Sequence, residues 1–116
     1  MQLNWSKCQG EVWCKLNFVT VEHQAFEHVD GVYVIWHGGP NPATVRVGQG
    51  TIRDQIKMNR TDSTVQSFAS LGLFVTWASV PAQERNGVEA FLASRLHPKI
   101  PNYPQAAPIE VNLPWP

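Results

Sequence analysis

Apolar positions fall into five segments along this chain, with glycine and proline punctuating the gaps. From Val12 to Val21 the apolar residues Val12, Cys14, Leu16 and Phe18 occupy every second position, the period of a strand, and an irregular or helical stretch is expected to follow through His28. Val32 to Trp36 (VYVIW) is β-branched or aromatic throughout. His37 to Pro42 (HGGPNP) excludes regular structure, and Thr44 to Val47 (TVRV) resumes a strand, so the pair reads as a hairpin with a long loop. On the period of two, Tyr33 and Ile35 share one face of the first strand while Val32, Val34 and Trp36 share the other. A strand apolar on both faces is a central one.

After Gly48, Gln49 and Gly50, Thr51 is placed to cap a helix running from about Ile52 to Arg60. At 100° per residue, Arg53, Lys57 and Arg60 form a narrow basic stripe beside Ile52 and Ile56. Leu73 to Val80 (LFVTWASV) is apolar at nearly every position, as a buried strand is, and Pro81 ends it. Ala82 to Leu96 places Val88, Phe91, Leu92 and Leu96 at helical spacing, closed by His97 and Pro98. The proline-rich stretch from Pro98 to Pro116 excludes a helix of useful length. Alternation of Ile109, Val111 and Leu113 with Glu110 and Asn112 predicts a short edge strand there, with Trp115 anchoring the end. The expected class is α+β: a central, mostly antiparallel sheet of three core strands in ββαβα order, flanked by helices, with an N-terminal strand and a proline-rich C-terminal strap. One domain is expected over 1–116, with its core at 31–102, an N-terminal extension at 1–30 and an extended tail at 103–116.

A chain of 116 residues, 43% of them hydrophobic, suffices for one genuine core. Nine basic residues balance nine acidic ones, so attraction to polyphosphate would need a local patch. Cys8 and Cys14 have neither metal-finger spacing nor the pattern of a disulfide framework, and they read as buried or half-buried thiols; a metal role would have to recruit His23 or His28. No apolar run approaches the roughly 20 residues of a membrane span, and the N-terminus lacks the order of a secretory signal. The expectation is a cytoplasmic protein with no membrane partner.

Several residues carry candidate chemistry. Glu89 lies beside Leu92, Ala93 and Leu96 on the helical wheel, at the edge of the buried face, where a carboxylate needs a cation, a donor or a raised pKa. A divalent metal is one solution, and a surface ion pair with Arg85, four residues earlier, is the plainer one. The phenol of Tyr33, on a central strand, either finds a partner at the sheet surface or points into a site. The stripe Arg53, Lys57 and Arg60 is either a solvated helix face or a phosphate contact. Gly48, Gln49 and Gly50 form a strand-to-helix turn whose backbone amides favour an anion.

Taken in order, Gly31-Val32-Tyr33 opening a strand, Arg46-Val47-Gly48 on the next, a helix from Ile52, Glu89 on a later helix and Asn102 after a proline resemble the GIY-YIG nuclease superfamily. The resemblance runs from Gly31 to Asn102. It implies a divalent-metal-dependent endonuclease hydrolysing nucleic-acid phosphodiester bonds, with Mg2+ or Mn2+ held by Glu89. It also implies Tyr33 and Asn102 as the site tyrosine and asparagine, with DNA ahead of RNA as the partner.

Three positions depart from the family pattern. Arg46 stands where the second motif begins with tyrosine and cannot act as a general base. Gln55 stands where the family's helix arginine aligns, with Arg53 about 200° round the helix from it, and Asn59 stands where an aromatic or histidine is usual. The catalytic set expected is therefore Tyr33, Arg46, Glu89 and Asn102, with Gln49, Arg53, Gln55, Lys57 and Arg60 around the phosphate. Two outcomes compete. Either Arg46 supplies from the strand the charge that Gln55 lacks, or the site is silent and the domain binds nucleic acid or a protein, the latter through tail aromatics Tyr103 and Trp115. With neutral net charge and no separate recognition module, intrinsic specificity is expected to be low or to come from a protein partner or a homodimer.

Overall fold

Strand β2 (Asp30–His37) is the centre of the sheet, as its two apolar faces require. The computed structural model describes residues 1–102 and 104–115. Strand β2 pairs antiparallel with β3 (Ala43–Thr51) on one side and β4 (Leu73–Ser79) on the other, and β1 (Cys14–Lys15) adds to β4, giving the order β1-β4-β2-β3. The register sets Tyr33 opposite Gly48, Val32 opposite Gln49 and Ile35 opposite Arg46, and a bulge after Ile35 then brings Trp36 opposite Thr44. Close approach of β2 and β4 requires glycine at position 31, where an added Cβ would stand 1.9 Å from the Ala78 carbonyl oxygen.

Helices cover both faces. Helix α1 (Ile52–Thr61) packs Ile52 and Ile56 against Tyr33, Ile35 and Val45, while α3 (Ala82–Leu96) packs Val88, Phe91 and Leu92 against Val32, Val34 and Val47. Full burial of each such aliphatic side chain contributes about 1.5–3 kcal/mol. A short helix α2 (Ser63–Gln66) follows α1, its start capped by Asp62, whose Oδ1 accepts from Thr64 N and Val65 N. The fold is thus α+β with a four-stranded antiparallel sheet, and the hairpin, both long helices and the buried strand stand where the periodicity puts them.

Three expectations are corrected at the chain ends. The alternation from Val12 to Val21 yields only the two residues of β1, followed by turns and a single 3-10 turn at Gln24–Phe26, with Phe18 80% exposed. Cys8 and Cys14 are joined in a disulfide rather than standing as separate thiols. No strand forms over Ile109 to Leu113. There the backbone N–H of Ile109 donates to the Gly87 carbonyl, and Asn112 exchanges side-chain hydrogen bonds with the backbone of Leu3. The tail is a strap, and Trp115 anchors it edge to face on Trp36 and Trp13. Tyr103 lies outside the described residues. Among the described residues, no helix is long and apolar enough to cross a membrane.

Candidate functional site

Strand β3 is the outer strand of the sheet, so side chains from both faces can meet around its free edge. On the α1 face the ring of Tyr33 crosses Gly48, where an added Cβ would stand 2.3 Å from the phenolic oxygen. Glycine at 48 is what lets the ring lie across β3. The hydroxyl donates to Gln55 Oε1 (3.0 Å) and accepts from Asn59 Nδ2 (3.1 Å). Asn59, wholly buried, also donates to the Gln55 carbonyl (2.8 Å) and accepts from Arg46 Nη1 (2.7 Å). Arg46 Nη1 reaches Asp62 Oδ2 at 3.2 Å as well.

On the α3 face Glu89 is 8% exposed. Its Oε1 accepts from Gln49 Nε2 at 2.6 Å, and its Oε2 accepts from Asn102 Nδ2. Gln49 Nε2 also donates to Asn86 Oδ1 (2.7 Å), and Asn102 Nδ2 donates to the Val47 carbonyl (2.9 Å), which ties the segment after α3 to the edge of β3. The ion pair with Arg85 does not form: that guanidinium donates instead to the Val80 carbonyl. Among the described residues no cation stands within ion-pair distance of Glu89. A buried carboxylate held by neutral amides alone lacks the countercharge such groups ordinarily have.

The two clusters are electrostatically within reach of each other. Burial raises the pKa of Tyr33 above the ordinary phenol value; the hydrogen bond from Asn59 and the charge of Arg46 oppose this, and the charges of Glu89 and Asp62 reinforce it. The phenol is therefore protonated at neutral pH and serves as a donor, not as a base. Asp62 shifts the other way, its carboxyl held below the usual range first by the Val65 N–H and further by Arg46.

The basic stripe of α1 is not part of this arrangement. Arg53 donates to the carbonyls of Val21 (2.7 Å) and His23 (3.3 Å), and Arg60 donates to those of Leu16 (2.7 Å) and Val19. Lys57 stands 3.9 Å from Glu22 with both side chains exposed. The residues at 16–23 lie over this face of the helix, so these three side chains fasten the N-terminal extension where phosphate contacts were expected. The structure brings together Tyr33, Arg46 and Gln55 in one cluster and Gln49, Glu89 and Asn102 in the other. Asp62 and Asn86 are additions: the run Asp62-Ser63-Thr64 has the composition of a helix cap, a signal that could have marked the first, and the second stands three residues before Glu89 on α3, a spacing that puts both on one face.

Among the described residues no group of three or more His, Cys, Asp or Glu side chains could hold a metal ion. A cation here would thus rest on Glu89 as its one carboxylate, which suits a hard, hydrated ion of the magnesium type that keeps several waters and takes one or two carboxylates. No family model matches the chain, and no curated protein or solved structure matches it.

Proposed function

We infer that this protein is a divergent GIY-YIG-type endonuclease, hydrolysing nucleic-acid phosphodiester bonds with a divalent cation at Glu89. The observation that carries the reading is Glu89 itself: 8% exposed, accepting from two side-chain amides, and within electrostatic reach of Tyr33. Mg2+ or Mn2+ at this carboxylate would supply positive charge to polarise a phosphate. Gln49 and Asn102 hold the carboxylate in place. Tyr33, protonated, does not abstract a proton from water; its one O–H is engaged by Gln55, so it would have to leave Gln55 to donate to the phosphate or the attacking water. Arg46 contributes positive charge from β3, since both of its contacts run through Nη1. DNA is favoured over RNA as the substrate.

A second reading, binding without turnover, has its own support. Arg46 pairs with Asp62, which cancels part of the charge that a pentavalent phosphorus would call for. The test is cleavage of labelled single- and double-stranded DNA and RNA with magnesium or manganese, with Glu89→Ala purified in parallel. Cleavage abolished both by EDTA and in the variant supports the enzyme. Equal cleavage by both proteins, or none by either, overturns it.

A further inference from the structure

Because nine basic residues balance nine acidic ones, a polyanionic partner must find positive charge concentrated locally. Most of the cations are already engaged. Arg46 and Lys57 face carboxylates, and Arg53, Arg60 and Arg85 donate to backbone carbonyls. Arg95, whose guanidinium carbon lies 4.9 Å from the ring centroid of Phe91, and Lys99 instead line a single groove of about 590 Å³ together with His97, and no Asp or Glu among the described residues lines it. Both side chains are exposed, and among the described residues neither has a carboxylate within ion-pair distance. Lys7, which does not line the groove, holds its ammonium 4.7 Å from the ring centroid of Trp13.

Three tryptophans line the groove as well, beside Pro42, Ala43, Thr44 and Leu96. Trp13, Trp36 and Trp115, three of the five tryptophans in the chain, meet in this groove. Their centroids are 5.3 Å apart for Trp13 and Trp36 and 4.8 Å for Trp36 and Trp115, and both pairs pack edge to face. All three are half-buried, so indole surface remains open within the groove. Aromatic surface beside exposed cations suits a flat base whose flanking phosphates carry negative charge.

We propose that the groove binds an unstacked base of single-stranded DNA, with Arg95 and Lys99 on the adjoining phosphates. The proposal rests on the nucleic-acid partner named above and adds to it a preference for single strands. The same two elements carry both sites: Thr44 on β3 and Arg95 on α3 line the groove, while Gly48, Gln49 and Glu89 lie further along that strand and helix. From Glu89 to Arg95 is about 9 Å along a helix axis at 1.5 Å per residue. A short stretch of one strand spans it. A duplex keeps its bases stacked and presents only their edges to such a groove.

The test is binding of a fluorescently labelled oligo-dT, read by anisotropy and by quenching of tryptophan emission, against a duplex of equal length, at several salt concentrations. It is done on the Glu89→Ala protein so that no substrate is cut. Single-strand binding tighter than duplex binding is expected, with tryptophan quenching and a steep fall with salt. Charge reversal at the exposed positions, Arg95→Glu with Lys99→Glu, is expected to weaken it at least tenfold, and Trp115→Ala about tenfold, the loss of one stacking surface. Duplex binding as tight as single-strand binding, an affinity untouched by charge reversal, or no single-strand binding at all overturns the proposal. Cleavage by the wild type that is unchanged in the groove variants removes the groove and leaves the nuclease. Groove-dependent binding without cleavage removes the nuclease and leaves the groove.

Discussion

Asn59→Ala is the substitution that most directly tests the polar cluster on α1. The wild-type side chain is wholly buried and makes three hydrogen bonds: to the Tyr33 hydroxyl, to the Gln55 carbonyl and from Arg46. The two neutral bonds are worth about 1 kcal/mol each. The third is charge-assisted, but the Arg46 side chain is 20% exposed and retains Asp62, so about 1 kcal/mol is assigned to it after screening. The sum, about 3 kcal/mol, corresponds to a fall in Tm on the order of 10–15 °C for a domain of this size. Urea and thermal denaturation followed by circular dichroism would measure it. A second readout is Tyr33 itself. In a Tyr103→Phe background it is the one remaining tyrosine, and its ionisation can be followed by ultraviolet difference absorbance. Burial already raises its pKa, so the stability of the neutral phenol is complete below the unfolded value and is lost as pH rises through the folded one. Removing the Asn59 donor, which favours the phenolate, should raise that pKa further. A stability loss below about 1 kcal/mol, or a Tyr33 titration unchanged or lowered, would refute the network as drawn.

Two further perturbations probe the surroundings. Gly48→Ala puts a methyl group 2.3 Å from the Tyr33 hydroxyl and 2.4 Å from its ring carbon. The ring must swing away, at an expected cost of about 1–3 kcal/mol, and Tyr33 should then titrate closer to the ordinary phenol value; an unshifted titration would mean that the ring does not lie across β3. Reduction of the Cys8–Cys14 disulfide opens a loop with a sequence separation of 6, for which chain entropy predicts a loss of about 2 kcal/mol. Equal denaturation midpoints with and without reductant would show that the bridge contributes nothing.

How far the sequence discloses the fold depends on whether a segment's partners lie in the sheet. In β2, β4 and α3 the residue pattern and the packing agree, because Val32 and Val34 really do face Val88 and Leu92 while Tyr33 and Ile35 face Ile52 and Ile56. At the ends the same kind of pattern misleads. Ile109, Val111 and Leu113 all pack against the core of the α3 face, so their alternation records burial, yet the backbone there bonds to a helix carbonyl and no ladder exists. Between Val12 and Val21 the apolar residues Cys14, Leu16 and Val21 are buried, but through turns and a disulfide. The helical wheel likewise places Arg53, Lys57 and Arg60 on one face correctly, and cannot reveal that the segment 16–23 folds over that face and offers it carbonyl oxygens. Glu89 was legible as a carboxylate at a buried edge. Its partners Gln49 and Asn102 come from β3 and from the segment after α3, and only the fold brings them near.

The positions that depart from the pattern of the resembling family bear on whether the proposed site works or has decayed. Arg46, Gln55 and Asn59 are not scattered: Asn59 joins all three, bonding Arg46 by its side-chain oxygen and the Gln55 backbone by its nitrogen, while Gln55 and Asn59 share the Tyr33 hydroxyl. The guanidinium in this cluster comes from strand β3, and the amides of Gln55 and Asn59 fill the space beside it. Independent loss of function at each position would tend to leave a buried donor or acceptor without its partner, at about 1–3 kcal/mol apiece. Among the described residues the one buried side-chain polar atom lacking a partner is Glu84 Oε2, outside this cluster. Mutual satisfaction of all three residues around a protonated Tyr33 is what a stable buried cluster requires whatever its role; since Arg53 is held by the Val21 and His23 carbonyls, Arg46 is the cation whose removal should matter to any phosphate bound there.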